Sequence, residues 1–250
     1  MKNVTEQVPV YSLKVEIDDL PPNPRTDYDN FGHMVCWHSQ YALGDKHNFP
    51  EPSEFLKQLI DADNDSLNDL SISELKELAD KRNVILPLYL YDHSGITISC
   101  SHSYPYNDRW DAGQVGWIYA SYDDIQKELG GVNSKTIEKV KQLLISETET
   151  YDNYLRGECY GYVIEKDGVE VDSCWGFLGD LREMLLEMKS GVSEEYKHLF
   201  DHIDYGCMEY TEDKPGENAA KPSIRKQLTE QAKEIKPEPK VVKRTGPELG

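Results

Sequence analysis

The chain has 250 residues, 38% of them hydrophobic, and its 46 acidic and 27 basic side chains give a formal net charge of −19. A body this acidic repels nucleic acid and anionic lipid, and the sequence has neither the ~18 consecutive apolar residues of a membrane span nor the apolar segment of a secretory signal near its start. Its five scattered cysteines indicate reduced thiols in a cytoplasmic protein rather than a disulfide scaffold.

The first third of the chain predicts two short strands and two helices. Residues 8–17 and 33–38 have strand character, and the prolines between them exclude a regular element over residues 18–30. Pro52 and Ser53 mark the start of a helix that runs through Ile60. Ser71 is placed to cap a second helix, which ends near Arg82.

The rest of the chain predicts alternating strands and helices. The strand at 84–91 is hydrophobic on both faces, so we expect it to be buried, with Pro87 at an edge or a bulge. Periodicity, caps and turn residues predict the other elements: a strand at 115–120, a short helix ending at Leu129, a long helix at 135–155, strands at 158–165 and 169–177 joined by an Asp-Gly turn, and helices at 178–189 and 193–202. These elements favour an α+β fold, with a single mixed or antiparallel sheet of five to seven strands packed by helices.

A change of composition near residue 213 predicts the end of the folded domain. Prolines and charges dominate from there, so we expect a globular domain over 1–212 and a disordered Pro- and Lys-rich tail over 213–250. Residues 217–250 hold eight basic and five acidic side chains, which leaves 19 basic and 41 acidic side chains, a net charge of −22, in residues 1–216. The acidic excess therefore belongs to the folded part.

A first cluster of reactive residues surrounds the second predicted strand. Cys36 and His38 would share one face of that strand, and a thiol beside an imidazole can become a thiolate nucleophile. His33, His38 and His47 with Asp45 could instead ligate a divalent metal, or the segment could be a packed strand with a hydrogen-bonded histidine. No metalloenzyme spacing and no glycine-rich nucleotide loop is present, so we predict no metal and no cofactor.

A second cluster, Asp92 and His93 followed by Ser94, lies at the exit of the buried strand, where loop side chains often gather into sites. Adjacent side chains diverge, so these three cannot form a catalytic triad by themselves, although Asp92 could pair with a distant histidine. The alternative is a turn in which Asp92 accepts backbone hydrogen bonds and Gly95 adopts a positive φ.

A third cluster pairs glycine with tryptophan in two segments, 110–117 and 172–177, whose patterns match as if they face each other. Such glycines either permit close backbone packing or leave room for a ligand pocket with aromatic walls. If the protein is an enzyme, the candidate catalytic residues drawn from the three clusters are Asp92, His93, Cys36, His38 and Asp111.

Several long strings occur in one order along residues 8–180: NFGHMVCWH, YALGDKH, LYLYDHSGIT, DAGQVGWIY, ETYDNYLRG and DSCWGF. Together they resemble an uncharacterised family of proteins carried by bacteriophages and integrative mobile elements. The resemblance brings no activity and no site residue. It implies a setting, which is a cargo protein that acts in the cytoplasm of a bacterial host cell.

The acidic body and this setting favour an accessory protein that binds a host or competitor protein with a basic surface and inhibits or redirects it. A partner that itself binds nucleic acid would make the protein a DNA mimic with a role in counter-defence. The alternatives are a hydrolase-like enzyme that acts on a small molecule at a site around Asp92 and His93, and a structural or regulatory accessory protein.

Overall fold

Two antiparallel sheets of four strands each organise the part of the chain that the computed structural model describes, which is residues 8–60, 65–93, 95–101 and 111–212. The strands in chain order are β1 (Tyr11–Ile17), β2 (His33–Cys36), β3 (Asn83–Asp92), β4 (Ile96–Cys100), β5 (Ala112–Ser121), β6 (Cys159–Lys166), β7 (Val169–Leu178) and β8 (Glu209–Thr211). Helices occur between them, so the α+β class is confirmed. Residues Pro9–Glu212 form one compact unit, and the predicted tail at 213–250 lies outside the described residues.

The helices begin and end at local signals in the sequence. They are α1 (Pro24–Asp27), α2 (Pro52–Ile60), α3 (Ile72–Ala79), α4 (Tyr122–Leu129), α5 (Ser134–Leu155) and α6 (Leu181–Gly191), with 3₁₀ helices at Asp65–Leu67 and Lys197–His202. Ser71 and Glu74 form a capping box at the start of α3, and Gly130 ends α4 with a φ of 76°.

The first sheet has the strand order β7-β6-β1-β8. Its β6–β7 hairpin turns at Asp167 and Gly168, with φ values of 52° and 79°, as the Asp-Gly signal predicts. One face of this sheet packs against α6 and the 3₁₀ helix at 197–202, and its core includes Leu13, Tyr162 and Phe200.

The second sheet has the order β2-β5-β3-β4 and is covered on both faces. The long helix α5 packs on one face over a core that includes Ile118 and Leu144. Helices α2 and α3 pack on the other face around Phe55 and Trp117. The predicted burial of β3 is therefore confirmed. Pro87 precedes the stretch of β3 that pairs with β4, and a bulge follows between Leu88 and Tyr89.

The expectation of a single sheet is wrong. Strand β1 pairs with β6 and β8, which lie about 150 and 200 residues further along the chain, and none of these strands joins β3 or β5. The alternation of apolar residues identifies strands but carries no information about their partners, and short hydrophobic strands of either sheet have the same pattern.

Candidate functional site

Three of the predicted catalytic residues line one polar cavity at the edge of the second sheet. His38, Asp92 and Asp111 contribute to its wall, together with Trp37 and Gln114, and its volume is about 430 Å³. Asp92 is the last residue of β3 and Asp111 directly precedes β5. Because these strands are antiparallel neighbours, the two aspartates meet, and the backbone N–H of Asp92 donates to the carbonyl oxygen of Asp111 at 2.7 Å.

Asp92 and His38 are connected through a tyrosine. The hydroxyl of Tyr41 donates to the Asp92 carboxylate at 3.0 Å, and this hydrogen bond raises the pKa of Tyr41. The His38 ring stacks on the Tyr41 ring with their centroids 4.9 Å apart. Its Nδ1 accepts the backbone N–H groups of Gln40 and Tyr41, which assigns the ring proton to Nε2. His38 is thus placed to donate a hydrogen bond into the cavity.

His93 and Asp111 form an imidazole–carboxylate pair beside this cavity. The His93 Nδ1 lies 2.9 Å from the Asp111 Oδ2, and the His93 ring stacks on Tyr91. With Nδ1–H donating to the carboxylate, Nε2 keeps its lone pair, which is the tautomer that a general base requires. Both side chains are substantially exposed to solvent. His93 of the second cluster and Asp111 of the third therefore provide two of the three elements of a hydrolytic site, the base and the group that orients it.

Cys36 does not belong to this arrangement. Burial raises the pKa of its thiol to about 12, so the thiol stays protonated at neutral pH and is a poor nucleophile. Strand β2 ends at Cys36, so His38 lies in the following turn rather than on the same face of a strand. Both residues line a second cavity of about 570 Å³, but no hydrogen bond joins them among the described residues. The burial of Cys36 disfavours the thiolate interpretation of the first cluster.

The imidazoles and the carboxylate of the first cluster make separate contacts. His47 donates from Nε2 to the carbonyl oxygen of Cys36 at 2.8 Å, His33 contacts the ring of Tyr119, and Asp45 binds Arg25. Within the described ranges, no group of three or more His, Cys, Asp or Glu side chains is arranged to hold a metal ion.

The third cluster is divided between the two sheets, because residues 112–117 belong to β5 and 172–177 to β7; Trp110 lies outside the described residues. Their matching pattern suggested that the two segments face each other, but they lie in different sheets and do not pair. Of the described glycines in these segments, Gly116 has a packing role. A Cβ on Gly116 would come within 3.0 Å of the Cα of Cys36, so this glycine lets β2 and β5 approach closely.

An acidic surface that the sequence analysis missed lies on the first sheet. Directly paired residues in neighbouring strands share a face, so the register places Lys14 beside Glu209 and Val163, and Glu165 beside Glu170. We define the open face as the side of the sheet opposite its core: Ser12, Lys14 and Glu16 of β1, Gly161, Val163 and Glu165 of β6, Glu170, Ser173 and Trp175 of β7, and Glu209 and Thr211 of β8. Apart from Gly161, these residues are exposed or half-buried.

The open face holds four carboxylates and one cation. Lys14 forms an ion pair with Glu16. The hydrogen bond within this pair raises the pKa of Lys14, and the negative charges of Glu16, Glu209 and Glu165 raise it further. Glu165 and Glu170 are directly opposite each other, an arrangement of like charges that is unfavourable in a sheet. The open face is therefore a negative surface, and a cationic group bound there would reduce the repulsion between its carboxylates.

A search of protein-family models, curated proteins and solved structures finds no match to this chain. No helix among the described residues is long and apolar enough to cross a membrane.

Proposed function

We propose that the protein binds a partner protein with a basic surface through the open face, and thereby inhibits or redirects that partner. The observation that carries the proposal is the grouping of Glu16, Glu165, Glu170 and Glu209 on one sheet face that no other described element covers. Flat, exposed sheet faces with one sign of charge suit docking between proteins, whereas a small substrate needs a concave site.

Charge also favours this proposal over nucleic-acid binding. Phosphate contacts require clustered lysine and arginine, and the open face has a single lysine that is already paired with Glu16. The net charge of −22 in residues 1–216 attracts a basic protein from a distance, so association should be fast at low salt. A partner that binds DNA or RNA presents such a basic surface. In the mobile-element setting, this partner would be a host or competitor protein.

Neutralising the open face is expected to weaken binding about tenfold, since three exposed ion pairs contribute roughly 0.2–1 kcal/mol each. The test variant carries Glu165→Gln, Glu170→Gln and Glu209→Gln. The matched control carries Glu77→Gln, Asp123→Asn and Glu138→Gln, which remove the same charge from exposed positions of α3, α4 and α5. Partners are captured from bacterial lysate, identified by mass spectrometry, and then titrated as purified proteins at several salt concentrations.

The expected result is a basic partner that the wild type and the control bind equally, with an affinity that falls as salt rises. Equal losses in the two variants would show that binding follows net charge and not this face. Binding that does not respond to salt, or partners that are not basic, would contradict the proposal.

The His93–Asp111 pair supports a second candidate function, hydrolysis of a small ester or amide in the adjacent cavity. In this role, Nε2 of His93 takes a proton from water as the water attacks the substrate carbonyl carbon, and Asp111 stabilises the imidazolium that forms. The tetrahedral intermediate then collapses with cleavage of the ester C–O or amide C–N bond, and the imidazolium returns the proton to the departing alcohol or amine. We expect any such activity to fall about 100-fold or more in His93→Ala. The control is His33→Ala, an exposed histidine in a different part of the second sheet. A panel of p-nitrophenyl esters tests this, and equal rates in the wild type and His93→Ala would exclude it.

A further inference from the structure

Trp175 lies flat on the open face. A Cβ built on Gly161 would come within 3.0 Å of three carbons of its indole, and one of these is Cδ2, a carbon shared by the two fused rings. Contact at this carbon means that the face of the ring, rather than its edge, rests on the Gly161 backbone. The Trp175 side chain is nevertheless 45% exposed, so the opposite face of the ring is turned to solvent.

A bulge in β7 produces this placement. The register between β6 and β7 shifts between Tyr160 and Tyr162, so Trp175 and Gly176 together lie opposite the single residue Gly161. Gly176 has a φ of 87°, which β-branched and bulky residues do not tolerate. Bulges of this kind redirect a side chain. Here a bulge and two glycines hold a large apolar ring against the sheet and away from the core.

The surroundings of the exposed ring are anionic. Glu16 is directly opposite Gly161 on the neighbouring strand β1, so the Glu16 side chain projects from the same face of the sheet beside the residue that the indole covers. The two cation–π contacts among the described residues involve Tyr11 and Tyr205, so within this part of the chain no cation occupies the Trp175 ring. An aromatic face next to a carboxylate is a recognition site for a cation, because the ring quadrupole and the charge attract it together.

We propose that Trp175 and Glu16 bind an arginine side chain of the basic partner, with the guanidinium stacked on the exposed face of the indole and paired with the Glu16 carboxylate. This inference rests on the function proposed above and names the chemistry of the partner at that same face. Arginine fits better than lysine because its planar guanidinium stacks on a ring and donates two parallel hydrogen bonds to one carboxylate. A lysine ammonium, in contrast, is compact and strongly hydrated. Glu16 already has one ammonium group beside it, that of Lys14.

Two peptides of equal charge, hexa-arginine and hexa-lysine, test the inference by calorimetric titration of the full chain. We expect the wild type to prefer hexa-arginine by about two- to fivefold, the range that an exposed cation–π contact gives. Trp175→Ala should lose most of the preference, because only the hydrogen bonds to Glu16 remain to favour arginine, and Trp175→Phe should retain more of it. Tyr205→Ala, which removes an exposed ring outside the open face, should leave the preference unchanged. The indole N–H signal of Trp175 is identified in NMR spectra as the one that is missing from Trp175→Ala. In the wild type, this signal should change position when hexa-arginine is added.

The outcomes separate this inference from the proposed function. A wild type without preference, or a preference that is undiminished in Trp175→Ala, overturns the arginine site while the proposed acidic docking face stands. The variant with Glu165→Gln, Glu170→Gln and Glu209→Gln should bind both peptides more weakly by the same factor, so its preference for hexa-arginine should be unchanged. If that variant binds both peptides and the captured partner with the affinity of the wild type, the proposal that the open face is the docking surface is wrong. Circular dichroism of Trp175→Ala checks that the fold is intact, which we expect because half of this side chain is outside the packed structure.

Discussion

Replacing Arg25 with methionine is expected to lower the free energy of unfolding by about 3–5 kcal/mol, the usual loss when one member of a buried ionic network is removed. The Arg25 side chain is only 1% exposed. Its Nε and one terminal nitrogen donate to the two Asp45 carboxylate oxygens at 2.8 and 3.0 Å, and the other terminal nitrogen donates to Glu147 at 3.1 Å. A further hydrogen bond reaches the Gly32 carbonyl oxygen at 2.8 Å.

The two carboxylates explain why the loss is large. Burial alone would lower the pKa of Arg25, but hydrogen bonds and charge from Asp45 and Glu147 raise it above its ordinary value. Asp45 also accepts the backbone N–H of Met34, and Glu147 accepts those of Phe31 and Gly32. Without the guanidinium, two like charges would remain close together and mostly buried. The network connects α1, the start of β2 and α5, so its loss loosens the edge of the second sheet that carries the polar cavity.

Thermal and urea unfolding of Arg25→Met measure this effect, and the expected loss corresponds to a Tm lower by roughly 6–20 °C. Arg182→Met is the matched control, because Arg182 is exposed and its guanidinium lies over the ring of Tyr205, 5.7 Å from the centroid, so its loss should stay within about 1 kcal/mol. Arg25→Lys keeps the charge without the two-pronged geometry and should be intermediate. Equal stability of Arg25→Met and Arg182→Met would mean that the network contributes nothing to the fold.

Local elements were predictable because their signals lie within a few residues. The Ser71 cap, the Asp-Gly hairpin and the double-sided burial of β3 all follow from neighbouring side chains. The long helix was predicted to begin at residue 135, whereas it begins at Ser134 and Asn133 caps it by accepting from two backbone N–H groups. Shifts of one residue at helix ends are expected when two polar residues compete for the cap.

The site was less predictable because it depends on strand pairing. Asp92 and Asp111 were singled out by their position at strand ends, and the meeting of β3 and β5 explains why they converge. The open face forms because β1 pairs with β6 and β8. The sequence around Glu16 contains no signal that Glu165 and Glu209 lie on neighbouring strands. Arg25 was missed for the same reason: its partner Glu147 is 122 residues away, and a single arginine in a proline-rich segment carries no signal of burial.

The buried thiol of Cys36 is expected to make the protein less stable at alkaline pH. Burial, and next the charge of Asp45, raise its pKa from 9.0 to about 12. Because the folded-state pKa lies above the unfolded value, the stabilisation is fully present below pH 9 and is lost as the pH rises from 9 towards 12. The complete loss amounts to about 4 kcal/mol, and the slope approaches about 1.4 kcal/mol per pH unit between the two pKa values.

Comparison of the wild type with Cys36→Ala isolates this effect. The alanine variant is less stable at pH 8 because it leaves a small cavity, but the difference in unfolding free energy should shrink at the stated slope between pH 9 and 10.5. Buried tyrosines such as Tyr162, whose pKa is raised to about 12 mainly by burial, affect both proteins alike and cancel. Cys174→Ala, which removes an exposed thiol, is the matched control variant. A constant difference between wild type and Cys36→Ala would mean that Cys36 ionises as readily in the folded protein as in the unfolded chain, and it would restore this thiol as a candidate nucleophile.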